Sequence, residues 1–95
     1  MTSELTVRHE APARRFLVRL PLGEGLLLYS FADAKTLDLE HTFVPPNARG
    51  AGVGATLAKA ALDFARENGY RVIPSCSFIQ TYLVQHPEYG DLEAP

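Results

Sequence analysis

The sequence has one cysteine, Cys76, so it contains no disulfide framework and no zinc site built from several thiolates. A free thiol fits a reducing compartment, and the expected location is the cytoplasm. No apolar run approaches the roughly 18–20 residues that span a bilayer. The stretch Met1 to Glu10 is polar and carries no signal-peptide core. Basic residues are scattered: Arg14-Arg15 is the one adjacent basic pair, and the formal net charge is −2 with a pI near 5.8. Broad phosphate neutralisation, and with it ordinary nucleic-acid binding, is therefore not expected. Repeats and low-complexity segments are also lacking. His9, His41 and His86 do not have metal-ligand spacing, so no metal is expected.

What is present fits one small domain over residues 1–95. The hydrophobic share of 46% and the charged share of 21% are ordinary for a globular chain. A domain this short buries a modest share of its surface, and a ligand or a second copy would add stability. Monomer and homodimer both stay open.

The pattern along the chain starts with strands. The stretch Leu-Thr-Val-Arg-His-Glu near the N-terminus alternates as a half-buried strand does. A second run, Arg15 to Leu20, and a third, Gly25 to Phe31, are separated by Pro21 and Gly23, which suggests an antiparallel meander. The triplet Leu26-Leu27-Leu28 suits a strand covered on both faces. Residues 36–44 give a fourth strand. Regular alternation puts Leu37, Leu39, His41 and Phe43 on one face and Asp38, Glu40, Thr42 and Val44 on the other.

From about Gly52 to Asn68 the period is helical. Val53, Leu57, Ala60, Ala61, Phe64 and Ala65 form the apolar stripe, opposite Lys59, Asp63, Arg66 and Glu67. Asn68-Gly69 stops this helix. Arg71 to Ser75 gives a fifth strand. A last helix over residues 77–86, capped by Ser75 or Ser77, would bury Phe78, Ile79, Tyr82 and Leu83 and end at Pro87. The acidic tail to Pro95 reads as loose. The order predicts an α+β (mixed α/β) domain: an antiparallel meander, then helix, strand and helix.

The informative segment is Arg49-Gly50-Ala51-Gly52-Val53-Gly54, between a strand and a strong helix. Glycines let backbone approach a ligand closely, and a helix start presents unpaired N–H groups. Together they favour an anion such as phosphate or pyrophosphate, with Arg49 adding charge. The Gly-Lys-Ser/Thr ending of a P-loop is missing, and the 50/52/54 spacing does not fit Gly-x-Gly-x-x-Gly. A plain strand-to-helix turn is the competing reading.

Arg-x-x-Gly-x-Gly after Val44-Pro45 resembles the pyrophosphate loop of the GNAT superfamily of acyl-CoA N-acyltransferases. His41-Thr42, Val72-Ile73-Pro74-Ser75-Cys76-Ser77-Phe78 and His86-Pro87-Glu88-Tyr89 resemble its compact Yjdj-type subfamily. The likeness covers about Phe16 to Leu92, and Ser77 departs from the proline expected there. The resemblance implies a minimal GNAT fold with a splayed central sheet, and acetyl-CoA as co-substrate. Its pyrophosphate would rest on Arg49, Gly50, Ala51, Gly52, Val53 and Gly54. Its pantetheine would run beside Phe43 and Val44, and its thioester would lie near Cys76.

Cys76 is read either as a nucleophile or pocket thiol, or as a small apolar residue at a strand end. Asp38, Glu40 and His41 are candidate bases for an incoming amine. Asp38 falls nearest the carboxylate that many GNAT enzymes carry on this strand. The alternatives are a solvated strand face for the carboxylates and a buried, hydrogen-bonded imidazole. Tyr82 and Tyr89 are candidate acids or core residues, and His86 is a helix-end residue near the dipole. Helices that shape the acceptor site in larger relatives have no counterpart in the short link Ala11 to Arg14, and an open groove suits a peptide or protein amine. Three functions follow: an N-acetyltransferase of unknown acceptor, a non-catalytic CoA-binding or sensing module, and a protein-interaction domain.

Overall fold

The computed structural model describes residues 5–95, so the first four residues of the expected 1–95 domain lie outside the described residues. Four antiparallel strands come first: β1 Val7–Glu10, β2 Arg15–Leu20, β3 Gly23–Asp33 and β4 Thr36–Phe43. Helix α1 (Val53–Glu67) crosses over to β5 (Arg71–Ile73), which pairs parallel to β4. Helix α2 (Ser77–Gln85) and a 3-10 turn (Pro87–Leu92) follow. The sheet order is β1-β2-β3-β4-β5. The mixed α/β arrangement expected from the sequence is the one observed. Among the described residues no helix is long and apolar enough to cross a membrane.

The core lies on one face of the sheet. Phe16, Val18, Leu27, Tyr29, Leu37, Leu39 and Val72 meet Val53, Leu57, Ala58, Ala61, Leu62 and Ala65 of α1. Ile79, Tyr82 and Leu83 of α2 join the same cluster. Gly25 permits the contact: a Cβ there would stand 2.5 Å from Val53 Cγ1. Burial of such side chains, at about 25 cal/mol per Å² of apolar surface, is what holds the helices to the sheet.

Several expectations are corrected. The buried stripe of α1 includes Ala58 and Leu62, while Ala60 and Phe64 are half-buried. The helix packs on the sheet with one side and on α2 with another, so its apolar face is wider than a single stripe. Phe78 is 41% exposed rather than buried, because its ring lies over Gly54 beside a cleft. The N-cap of α2 is Cys76, not a serine. Leu26 and Leu28 are only half-buried, because both helices lie on the opposite face. The tail is tied down: Tyr89 Oη donates to Asp63 at 2.7 Å, Arg66 pairs with Asp91 at 2.9 Å, and Ala94 N donates to Val72 O at 2.8 Å.

The decisive correction concerns β4. Leu28 pairs with His41 while Tyr29 pairs with Leu39, so Glu40 is an extra residue, a β-bulge. Beyond it the alternation shifts by one. Thr42, not His41, continues the core face of Leu37 and Leu39, and His41 and Phe43 turn to the uncovered face.

Candidate functional site

A cleft of about 620 Å³ opens where β4 runs into α1. Its walls are the end of β4 (His41 to Val44), the connecting loop with Arg49, Gly50 and Gly52, the first turn of α1, and Phe78. The cleft exists because the strands part. Parallel pairing of β4 with β5 covers Thr36 to Asp38, and Cys76 N adds one bond to Leu39 O at 3.0 Å. After the bulge, β4 is paired only with β3. One edge of residues 41–43 is thereby left facing the cleft.

The loop is built from successive tight turns. Ala48 N, Arg49 N and Ala51 N donate to the carbonyls of Pro45, Pro46 and Ala48 at 2.9, 3.4 and 3.3 Å. Gly50 and Gly52 hold φ of +89° and +80°, a left-handed conformation that side chains disfavour. A Cβ at either would meet nothing within 4 Å, so the glycines answer the backbone angle and leave open space in front of the loop. Gly54 is different. A Cβ there would lie 2.8 Å from the Phe78 ring, so this glycine lets α1 and α2 approach closely.

The electrostatics of the loop come from the helix start. Gly52 is the N-cap and offers no side-chain acceptor. The Thr56 hydroxyl donates back to Gly52 O at 2.9 Å, which occupies the carbonyl and none of the N–H groups. The first-turn amides of Val53, Gly54 and Ala55 have no intrahelical acceptor and sit at the positive end of a 15-residue dipole. Arg49 is exposed, with Nε donating to Val44 O at 3.4 Å. The arrangement suits an anion bound by backbone amides, with an extended chain laid beside the free edge of β4.

Phe43, Val44, Arg49, Gly50, Gly52, Val53, Gly54 and His41 all line this cleft, and Ala51 lies within the same loop. Three candidate catalytic residues separate in space. His41 is an exposed cleft residue, not the buried imidazole that regular alternation implied. Cys76 stands one side chain behind the wall, its thiol donating to Thr42 Oγ1 across 3.6 Å. Burial pushes the Cys76 thiol up. The Thr42 hydroxyl and the Ile79 and Phe78 amides at the start of α2 outweigh it, leaving the thiol below its ordinary value. Asp38 does not line the cleft. It lies beside Ser30 and Ile73 in the sheet, and its Oδ1 is buried with no hydrogen-bond partner among the described residues. Glu40 accepts from Ser30 Oγ at 2.7 Å.

Tyr82 and Tyr89 are core residues, 6% and 7% exposed. Burial raises the pKa of both phenols. His86 stacks on Tyr82 with centroids 4.0 Å apart. Sequence reasoning missed Thr42, Ala48, Ala55 and Phe78 as cleft residues. Thr42 was hidden by the bulge. Phe78 stands in the Cys-x-Phe motif but at a core position of the helical period.

Comparison with known proteins gives a consistent picture. The GCN5-related N-acetyl-transferase family profile matches residues 15–92. Protein NATD1 of Xenopus tropicalis is 40% identical over 88 residues, covering 90% of this chain and 81% of that protein. Protein NATD1 of Homo sapiens is 39% identical over 85 residues, covering 87% and 75%. The NMR solution structure of a GCN5-like protein from Staphylococcus aureus superimposes with a TM-score of 0.71 at 26% identity. The superposition covers 98% of this chain and 91% of that one.

Proposed function

Because this chain belongs to the GCN5-related N-acetyl-transferase family, we propose that it binds acetyl-CoA in the β4–α1 cleft and transfers the acetyl group to an amine. The observation that carries this reading is the loop at the cleft. Two glycines in left-handed conformation aim an uncapped helix start at open space. The amides of Val53, Gly54 and Ala55, with Arg49 beside them, would hold the pyrophosphate. The free edge of β4 at Thr42 to Val44 would pair with the amide-bearing arm, between the exposed rings of Phe43 and Phe78. His41, on the wall of the cleft, would take a proton from the incoming amine. The uncovered sheet face beside His41 favours a peptide or protein amine over an enclosed small molecule.

A cysteine route is also supported by one observation, the lowered thiol of Cys76 behind Thr42. In it the thiolate attacks the thioester carbonyl, the bond from carbonyl carbon to the CoA sulfur breaks, and CoA leaves as a thiolate that takes up a proton. The amine then attacks the acetyl-cysteine carbonyl, the bond from the carbonyl carbon to Cys76 Sγ breaks, and the proton lost by the amine is taken up by the departing thiolate. A binding or sensing module is the second reading. It is favoured by Asp38 lying outside the cleft, which leaves His41 and Arg49 as the titratable side chains on its wall.

Calorimetric titration with acetyl-CoA tests the binding claim, beside ATP and NAD as controls. Gly52→Asp sets a carboxylate before the helix start and is expected to weaken acetyl-CoA binding by more than about 100-fold. Its stability cost is about 1–2 kcal/mol, from the left-handed φ. Unaltered affinity in that variant would remove the proposed cradle. Release of CoA on adding peptide amines separates enzyme from module, and loss of that release in Cys76→Ala separates the two chemical routes.

A further inference from the structure

Of the three glycines between Gly50 and Gly54, two are explained by their backbone. Gly50 and Gly52 hold positive φ, whereas Gly54 lies inside α1 without one. At an ordinary helical angle, glycine weakens a helix relative to alanine. The reason for Gly54 is therefore spatial. A Cβ at residue 54 would lie 2.8, 3.2 and 3.3 Å from Cζ, Cε2 and Cε1 of Phe78, the outer end of the ring.

The packing around this contact decides what would have to yield. The start of α1 is locked on the sheet by Val53, which is 1% exposed and fills the space over Gly25. The start of α2 is held by the Cys76 amide, which donates to Leu39 O at 3.0 Å, and by the fully buried Ile79. With both backbones anchored, the Phe78 ring is the part free to move. The added Cβ meets it end-on while its own Cβ is fixed to α2, so the ring cannot withdraw along its axis. It must swing sideways and leave its place on the cleft wall.

That place is where the cleft is apolar. Five large apolar side chains are exposed among the described residues, and the two that line the cleft are Phe43, at 43%, and Phe78, at 41%. Exposed apolar surface gathered at a groove suits an apolar part of a ligand. The amides at the helix start offer the same hold to the pyrophosphate of any nucleotide. The rings offer something only to a ligand with an arm to cover, such as the dimethyl-bearing pantetheine chain. We infer that Gly54 is a positioning residue for ligand selection. Its missing Cβ sets the position of the Phe78 ring, and the ring so placed makes the cleft prefer ligands with a pantetheine arm to nucleotides that offer a pyrophosphate alone. This role rests on acetyl-CoA binding in the cleft and adds to it the means of telling that ligand from armless nucleotides. Alanine at residue 54 keeps the backbone N–H, so the phosphate cradle is not what such a variant removes.

Calorimetric titration with two ligands tests this role: acetyl-CoA, and adenosine 3′-phosphate 5′-diphosphate, which has the same phosphates and no arm. In the unaltered chain the ratio of the two affinities should exceed about 100. Gly54→Ala should lower that ratio about tenfold, by misplacing a preorganised wall. Phe78→Ala should lower it by a similar factor. Adding Gly54→Ala to Phe78→Ala should lower it no further, because the ring through which residue 54 acts is gone. An unchanged ratio in Gly54→Ala overturns the inference, as do losses that simply add in the double variant. An unaltered chain that binds neither ligand overturns the acetyl-CoA reading, and this role with it. A chain that binds acetyl-CoA with a ratio indifferent to residue 54 overturns this role alone. If Gly54→Ala does not fold, Phe78→Ala decides, and an unchanged ratio there overturns the inference.

Discussion

The two halves of β4 share one strand and do different work. Leu37 and Leu39, before the bulge, are fully buried; Leu37 is paired on both sides, and Leu39 pairs with β3 and accepts one bond from Cys76 N. His41 and Phe43, after it, are exposed, paired to β3 alone, and line the cleft. One extra residue, Glu40, separates a core-forming half from a ligand-facing half. The difference teaches that the site depends less on special side chains than on where pairing stops.

Breaking the first half should cost stability and little else. Leu39→Ala removes a fully buried side chain and should lose about 2–5 kcal/mol in chemical denaturation. Phe43→Ala, in the second half, should lose less than about 1 kcal/mol and should act on ligand affinity instead. Equal stability losses at the two positions would erase the contrast. The glycines sharpen the same comparison. Gly25→Ala pushes a methyl to 2.5 Å from Val53 Cγ1 and should cost about 1–3 kcal/mol. Gly50→Ala meets open space, so only its φ of +89° opposes it, at about 1 kcal/mol.

Smaller effects follow from the titrating groups. His9 stacks on Phe16 at 4.1 Å, sits 2.6 Å from the Tyr29 hydroxyl, and has a pKa lowered by burial. The unfolded chain therefore binds a proton at His9 more readily than the folded one. Stability from this group is full above the ordinary value of 6.5 and is lost as pH falls through the lower folded value. A melting temperature that declines between pH 7.5 and 5, with a shallower decline in His9→Phe, is the expected outcome. At Cys76, alkylation by iodoacetamide near pH 8 should run faster in the native chain than in Thr42→Val, since the Thr42 hydroxyl helps to hold the thiol low. Equal rates would remove Thr42 from the account.

Much of this architecture was legible in the sequence because it rests on local signals. Alternation marked the meander, Asn68-Gly69 ended α1, and the glycines between Arg49 and Gly54 located the loop. What stayed hidden was tertiary. A bulge leaves no periodic trace, so His41 and Thr42 were assigned to the wrong faces. Phe78 follows a core period, yet Gly54 draws its ring to the cleft. The tail reads as polar and loose, but Tyr89, Asp91 and Ala94 find partners on α1 and β5 that sequence distance conceals. The exposed half of the sheet was equally invisible, because Leu26-Leu27-Leu28 reads as buried on both sides.

The central claim is that the ligand-facing half of β4 and the start of α1 together hold acetyl-CoA. The most direct test is an amide chemical-shift titration of the labelled chain with acetyl-CoA. The account predicts saturable shifts concentrated at residues 42–44 and 49–55, with β1 and β2 nearly still. An absence of saturable shifts, or shifts centred away from these two segments, would contradict it.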